Sequence, residues 1–224
     1  MPFAVEQFLG IFEDYNLAVW PVQIVLVVLG GAAVGLSLRK SRPGDKIILA
    51  ILSFLWLWIG VVYHWAYFSS INKAAYLFGA LFVLQALIFL YSGVLKSGVS
   101  FHFKPNACAL VGGIFILYAL VVYPILGSLF GHGYPRNPTF GLPCPTTIFT
   151  FGLLLMTDKF IPKRVLWIPL AWAVIGSGAA LSLSIQEDFG LLVSGLLGTA
   201  LILFRNRKLE SQRITSQLLS GAGA

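Results

Sequence analysis

Charge is the first thing this sequence lacks. Of its 224 residues only 10% are Asp, Glu, Lys or Arg, and only eight are acidic. A soluble domain carries about 25% charged and about 45–50% apolar residues. Here 58% are apolar and the mean hydropathy is +0.88. That much apolar surface exceeds what one small soluble core can bury, so a soluble globular fold is excluded and lipid is the expected solvent. Cysteine is almost absent too, at two residues, Cys108 and Cys144. No CxxC, HExxH, GxxxxGK[ST] or GxSxG pattern occurs, which removes the structural-zinc, zincin, P-loop and α/β-hydrolase readings. The apolar segments also lack any mid-segment Asp, Glu, Lys or Arg, which argues against a carboxylate-relay proton antiporter. No nucleophile–base pair adjacent in sequence marks an enzyme.

What is present is a series of seven apolar segments, at residues 17–38, 47–68, 74–95, 107–130, 145–156, 165–184 and 189–204. The net charge of +7 could point to nucleic acid. Its distribution explains it differently. With the N-terminus outside, inner loops hold Arg39, Lys40, Arg42, Lys46, Lys96, Lys104, Lys159, Lys163, Arg164, Arg205, Arg207, Lys208 and Arg213. Outer loops hold Lys73 and Arg136 alone, a split of 13 to 2 that follows the positive-inside rule. The expected fold is therefore all-α and polytopic, with seven transmembrane helices, N-out and C-in, partnered by the bilayer and not by nucleic acid. Three regions are expected. Residues 1–16 form an outer amphipathic segment, with Val5, Phe8, Leu9 and Phe12 on one helical face; the alternative is a frayed terminus. Residues 17–204 form the transmembrane domain, and residues 205–224 a basic and polar cytoplasmic tail. The opening residues lack the basic n-region of a cleavable signal.

The stretch at 131–147, GHGYPRNPTFGLPCPTT, is the most irregular between two apolar segments, with three glycines and four prolines. Such backbone at membrane depth survives only against protein or water, so it is expected to wall an outward-facing vestibule. The segment after it has a clean apolar core of twelve residues, about 18 Å of helix against about 30 Å of hydrocarbon. It is expected to be tilted, broken or half re-entrant.

Candidate binding residues converge on the outer face in this threading. They are His64 and Tyr67 from the second segment, Lys73 and Tyr76 from the third, and His132, Arg136, Cys144, Thr146 and Thr147 from the loop, with Asp14 and Glu187 at the rim. Two chemistries stay open. A histidine–thiolate set of His64, His132 and Cys144 suits a soft or borderline metal. Arg136 and Lys73, beside free N–H groups at Thr146 and Thr147, suit an anion. Each residue also has a structural reading. His64 fits an aromatic interface belt, Cys144 a tight Pro-Cys-Pro turn, and Arg136 a pairing with Glu187, Asp188 or Asp14.

Two cofactors are disfavoured. Retinal needs a lysine in the last segment, which has none, so a likeness to microbial rhodopsins fails there. A bis-histidine haem needs two histidines at one depth, and His64 and His102 lie at opposite faces. Small-residue stripes occur at Gly31 and Gly35 in the first segment, at Gly176, Ala180 and Ser184 in the sixth, and at Gly190, Ser194 and Gly198 in the seventh. They serve internal packing or a partner, either a second copy or another membrane protein. Segments 1–3 and 5–7 can be superposed through WP/CP at 20–21 and 144–145 and WIG/VIG at 58–60 and 174–176. This allows a 3+1+3 parallel repeat like that of SWEET-class sugar transporters.

The stretches GVVYHWAYFSSIN at 60–72 and YPRNPTFGLPCPTT at 134–147 resemble a family of uncharacterised bacterial multi-pass membrane proteins, a domain of unknown function. The resemblance covers most of the chain. It implies a bacterial inner-membrane location and no particular activity. A small-solute transporter or channel is the expected role, with an accessory or scaffolding subunit of a larger membrane complex as the alternative.

Overall fold

The computed structural model describes residues 3–221 apart from 97, 132 and 184. The described residues form helices and two isolated bridges, with no β-sheet. Nine α-helices follow in order: α1 Val5–Val19, α2 Val22–Ser37, α3 Arg42–Trp58, α4 Ala75–Leu90, α5 Ala107–Leu117, α6 Tyr123–Leu129, α7 Pro143–Leu155, α8 Trp167–Leu183 and α9 Phe189–Gly221.

Five helical stretches are long and apolar enough to cross a membrane. They are Arg42–Ser70, Ala75–Gly93, Ala107–Leu129, Lys163–Leu183 and Gln186–Gln217. The α1–α2 pair, bent by 88° at Trp20 and Pro21, is a sixth at most. The expected first segment at 17–38 is thus corrected. Proline has no N–H to continue a helix; α1 ends at Val19, and α2 starts at Val22 and leaves nearly at right angles. The N-terminal segment is helical as α1, whose Leu9, Phe12 and Tyr15 are buried, while Val5, expected on the same face as Leu9 and Phe12, is exposed along with Leu17.

Two membrane-length helices change their winding midway. α3 is started by Ser41, whose hydroxyl accepts from Gly44 N at 3.3 Å. It continues through a π-helical turn, Ile59–Tyr67, and a 3₁₀ turn, Phe68–Ser70. There Gly60 approaches α4 so closely that a Cβ would meet the Gly79 carbonyl at 2.8 Å. α5 is capped by Asn106, accepting from Ala109 N at 3.0 Å. It joins α6 through a further π-helical turn, Tyr118–Val122, just before Tyr123 and Pro124; another, Tyr91–Leu95, ends the α4 stretch. Pro124 has no N–H to donate, and the π-helical turn before it accommodates the missing donor.

α7 lies at the centre, against α5, α9, α8 and α3. At 13 residues it spans about 20 Å, yet it is buried all round, including Thr146, Thr147 and Thr150. Its shortness agrees with the sequence, but the structure surrounds it with side chains rather than with water or thinned lipid. Helix backbones close in through glycine: a Cβ on Gly112 would meet Gly152 O at 2.6 Å, and one on Gly152 would meet Gly112 O at 2.8 Å. Trp56 Nε1 donates to Thr150 Oγ1 at 3.0 Å, and that hydroxyl donates back to Thr146 O at 2.7 Å. Large apolar side chains face outward around the bundle, among them Ile24, Val28, Leu77, Leu87, Leu110, Leu181 and Phe204, as a lipid-exposed surface requires.

The far end of α7 is held by α9. Arg205 Nη1 donates to Leu155 O at 3.1 Å and Thr157 O at 2.7 Å, and Nη2 to Thr157 Oγ1 at 2.6 Å. Asn206 exchanges two hydrogen bonds with the Ile161 backbone, accepting at 3.1 Å and donating at 2.7 Å. The region expected as a tail from 205 is helix as far as Gly221. The superposed triplets are packed differently, since α7 runs along α9 whereas α2 and α4 do not pack along each other.

Candidate functional site

The 131–147 loop is folded tightly onto the α1–α2 corner. The buried Asn16 side chain donates to Pro135 O at 2.6 Å and Asn137 O at 2.8 Å. Its Oδ1 accepts from Gln23 Nε2 at 2.6 Å and Thr139 Oγ1 at 2.9 Å. Asn16 therefore does for the loop what a neighbouring strand would do, satisfying carbonyls that prolines leave without regular partners. Gly141 turns the chain at φ +98°, and a Cβ there would strike the Leu26 side chain, so glycine is required. Arg136 pairs with Glu6 at 2.5 Å and Glu13 at 3.6 Å. These are not the Glu187, Asp188 or Asp14 partners expected from the sequence.

Between this loop, α1, the end of the α3 stretch and α8 lies a cavity of about 300 Å³. Phe3, Phe8 and Phe12 roof it from the α1 side. Tyr63, Phe68, Phe78 and Trp172 form aromatic walls, with Ile175, Ala179 and Leu142 completing them. Cys144 and Asp188 supply polar atoms. Cys144 is partly exposed, and its thiol stands beside the Asp188 carboxyl and the Trp172 indole. Asp188 is only 4% exposed, and the Tyr123 hydroxyl donates to its Oδ1. No Lys, Arg or His lines the cavity among the described residues.

The family of unknown function DUF6064 matches residues 5–213. The chain belongs to the DUF6064 family. No curated protein and no solved structure matches it significantly. The DUF6064 match begins at the first residue of α1 and runs past Asn206, so it contains the cavity from Phe8 onward and the α9 clasp on α7.

Several expected site residues sit elsewhere in this DUF6064 chain. His64 is fully buried behind the cavity wall, ringed by Phe82 at 4.8 Å, Tyr63 and Trp172 at 5.2 Å and Phe78 at 5.9 Å. Neither of its ring nitrogens has a hydrogen-bond partner. Tyr67 stacks edge-on against Tyr15 at 5.5 Å. Lys73 is exposed, 6.0 Å over the Tyr76 ring. His132 lies outside the described residues. The anion arrangement is not assembled: Pro143 and Pro145 have no N–H, and Thr146 N is bonded to Leu142 O at 3.2 Å. The Thr146 hydroxyl accepts from Gly141 N, and Thr147 points into the packed bundle. Among the described residues no three His, Cys, Asp or Glu side chains are placed to hold one metal ion. Of the expected set, Cys144 alone among the described residues borders the cavity, with His64 behind its Tyr63 and Trp172 wall.

The small-residue stripes mostly face inward. A Cβ on Gly190 would strike Tyr118, one on Gly198 would strike Phe151, and one on Gly176 would meet Leu191 at 2.9 Å. Ser184 lies outside the described residues. A methyl group added at Gly31 or Gly35 on α2 would have nothing within 4 Å, so these two face outward. Sequence reasoning missed Asp188 as a site residue because QED at 186–188 reads as an outer loop. It forms instead a 3₁₀ turn that enters the bundle beneath Cys144.

Proposed function

We propose that this DUF6064 protein is a small-solute carrier or channel of the bacterial inner membrane. In this reading it crosses seven times, N-out and C-in, with α2 and α7 completing the five longer spans. The central α7 can be short because side chains, not lipid, surround it. The observation that carries the reading is the aromatic cavity beside the 131–147 loop. Its size fits a small molecule, its walls are mostly apolar, and its few polar side chains are Tyr63, Asn72, Cys144 and Asp188. Such a site orients a compact hydrophobic body by one polar group. In this threading it lies at the outer face, roofed by α1, whose position is fixed through Arg136 and Asn16. Movement of α1 is then the natural gate.

The alternative is an accessory subunit. It is favoured by the outward Gly31–Gly35 face and by α9, which continues past Asn206 with Arg207, Lys208 and residues 210–217 exposed. Purification of the untagged protein from native membranes and uptake in proteoliposomes separate the two. The carrier reading expects the chain alone to take up members of a panel of small aromatic amines, alcohols and acids. A stoichiometric partner together with no uptake of any panel member would replace it with the subunit reading.

A further inference from the structure

The cavity's walls and its buried acid together specify the sign of charge it favours. Asp188 is buried; the Tyr123 hydroxyl donates to its Oδ1 and the Cys144 thiol stands beside it, both neutral donors. Among the described residues no Lys, Arg or His lies within ion-pair distance of it; the described cation–carboxylate pairs use Asp158, Glu6 and Glu13. A buried carboxylate without a cation is an incomplete pair, which the rest of a protein tolerates only for a purpose. The neighbouring surfaces are the rings of Phe12, Tyr63, Phe68, Phe78 and Trp172. Aromatic faces present negative electrostatic potential, and a desolvated cation gains most from them. The thiol of Cys144 and the phenol of Tyr123 add no positive charge.

Resting on the carrier reading, we infer that the solute is a lipophilic organic cation, a substituted ammonium with an aromatic or branched aliphatic body. The ammonium sits against Asp188 and the Trp172 and Tyr63 rings, and the body fills the space beneath Phe8 and Phe12. Quaternary ammonium groups suit this site better than primary amines. They bind aromatic faces without needing hydrogen-bond acceptors, and the cavity offers few.

The test compares two probes of nearly equal shape on the full-length protein in detergent, by equilibrium binding. Benzyltrimethylammonium carries the charge; neopentylbenzene replaces its nitrogen with carbon and is neutral. The proposal expects the cation to bind at least about tenfold more tightly, and Asp188→Asn to reduce cation binding by a similar factor while leaving the neutral probe unchanged. Should Asp188→Asn fail to fold, the wild-type comparison still decides. Equal binding of the two probes, or tighter binding of neopentylbenzene, overturns the cation assignment and leaves the cavity as a solute site. Binding of neither overturns the assignment and the carrier reading with it.

Discussion

Replacing Arg205 with Met should loosen the centre of the bundle. The guanidinium of Arg205 closes the C-terminal end of α7 by donating to Leu155 O, Thr157 O and Thr157 Oγ1, with a longer contact to Leu154 O at 3.4 Å. Leu154 O and Leu155 O are last-turn carbonyls, Thr157 lies two residues past the helix end, and the helix dipole places negative potential there. Methionine matches much of the stem volume but supplies no donor. A charged hydrogen bond contributes about 1.5–3 kcal/mol, and a buried acceptor left bare costs about 1–3 kcal/mol. Allowing for water reaching part of this partly buried end, a net loss of about 2–4 kcal/mol follows. For a chain of this length that lowers the midpoint of unfolding by roughly 5–15 °C. The assay is thermal unfolding in detergent followed by tryptophan fluorescence, using Trp56, which is bonded to α7 through Thr150. Arg205→Lys should recover only part of the loss, because an ammonium keeps the charge but not the planar fork. A Met variant within about 1 °C of wild type, or a Lys variant indistinguishable from Arg, would refute the capping role.

Other expectations follow from the same contacts. Gly112→Ala drives a methyl against Gly152 O and should cost about 1–3 kcal/mol in thermal unfolding, while the adjacent Gly113→Ala, whose nearest neighbour is Met156 Cε at 3.9 Å, should be neutral or slightly stabilising. Asn16→Leu strands Pro135 O and Asn137 O at once and leaves Gln23 Nε2 with Thr139 Oγ1 alone, so stability should drop by about 2–4 kcal/mol and proteolysis of the 131–147 loop should accelerate; unchanged cleavage would mean that the loop is held elsewhere. Arg136→Ala should loosen the N-terminal part of α1, which carries Glu6 and Glu13, raising hydrogen exchange there above that at the Asn16 end, which the loop still holds. In a background lacking both native cysteines, Lys73→Cys should react with an impermeant maleimide in intact cells and Lys208→Cys should not; labelling at 208 would invert the proposed threading.

Composition and charge position are enough to read an all-helical membrane-type chain, because apolar run length is a property of the sequence alone. The π-helical turn before Pro124 is foreshadowed by the proline. The corner at Trp20–Pro21 is not legible in the same way, since proline suits both a first turn and a break, and only the packing of Asn16 and Gln23 on the loop decides between them. The site is half legible. Cys144 and the loop stand out by their odd composition. Asp188 does not, because a carboxylate at a span's edge looks like loop, and its burial depends on α9 meeting Tyr123 across the bundle. The aromatic walls come from four separate helices, and no periodicity within one segment reveals that Phe12, Tyr63, Phe78 and Trp172 share a cavity.

The most direct test of the central claim, that this cavity is the solute site, uses the thiol already in its wall. In Cys108→Ser protein Cys144 is the remaining cysteine, and benzyl methanethiosulfonate would place a benzyl disulfide inside the cavity. Modification verified by intact-mass measurement should abolish binding of benzyltrimethylammonium and neopentylbenzene alike, with reduction restoring it and a Cys108→Ser, Cys144→Ala control unaffected. Full modification with undiminished binding of both probes would contradict the account.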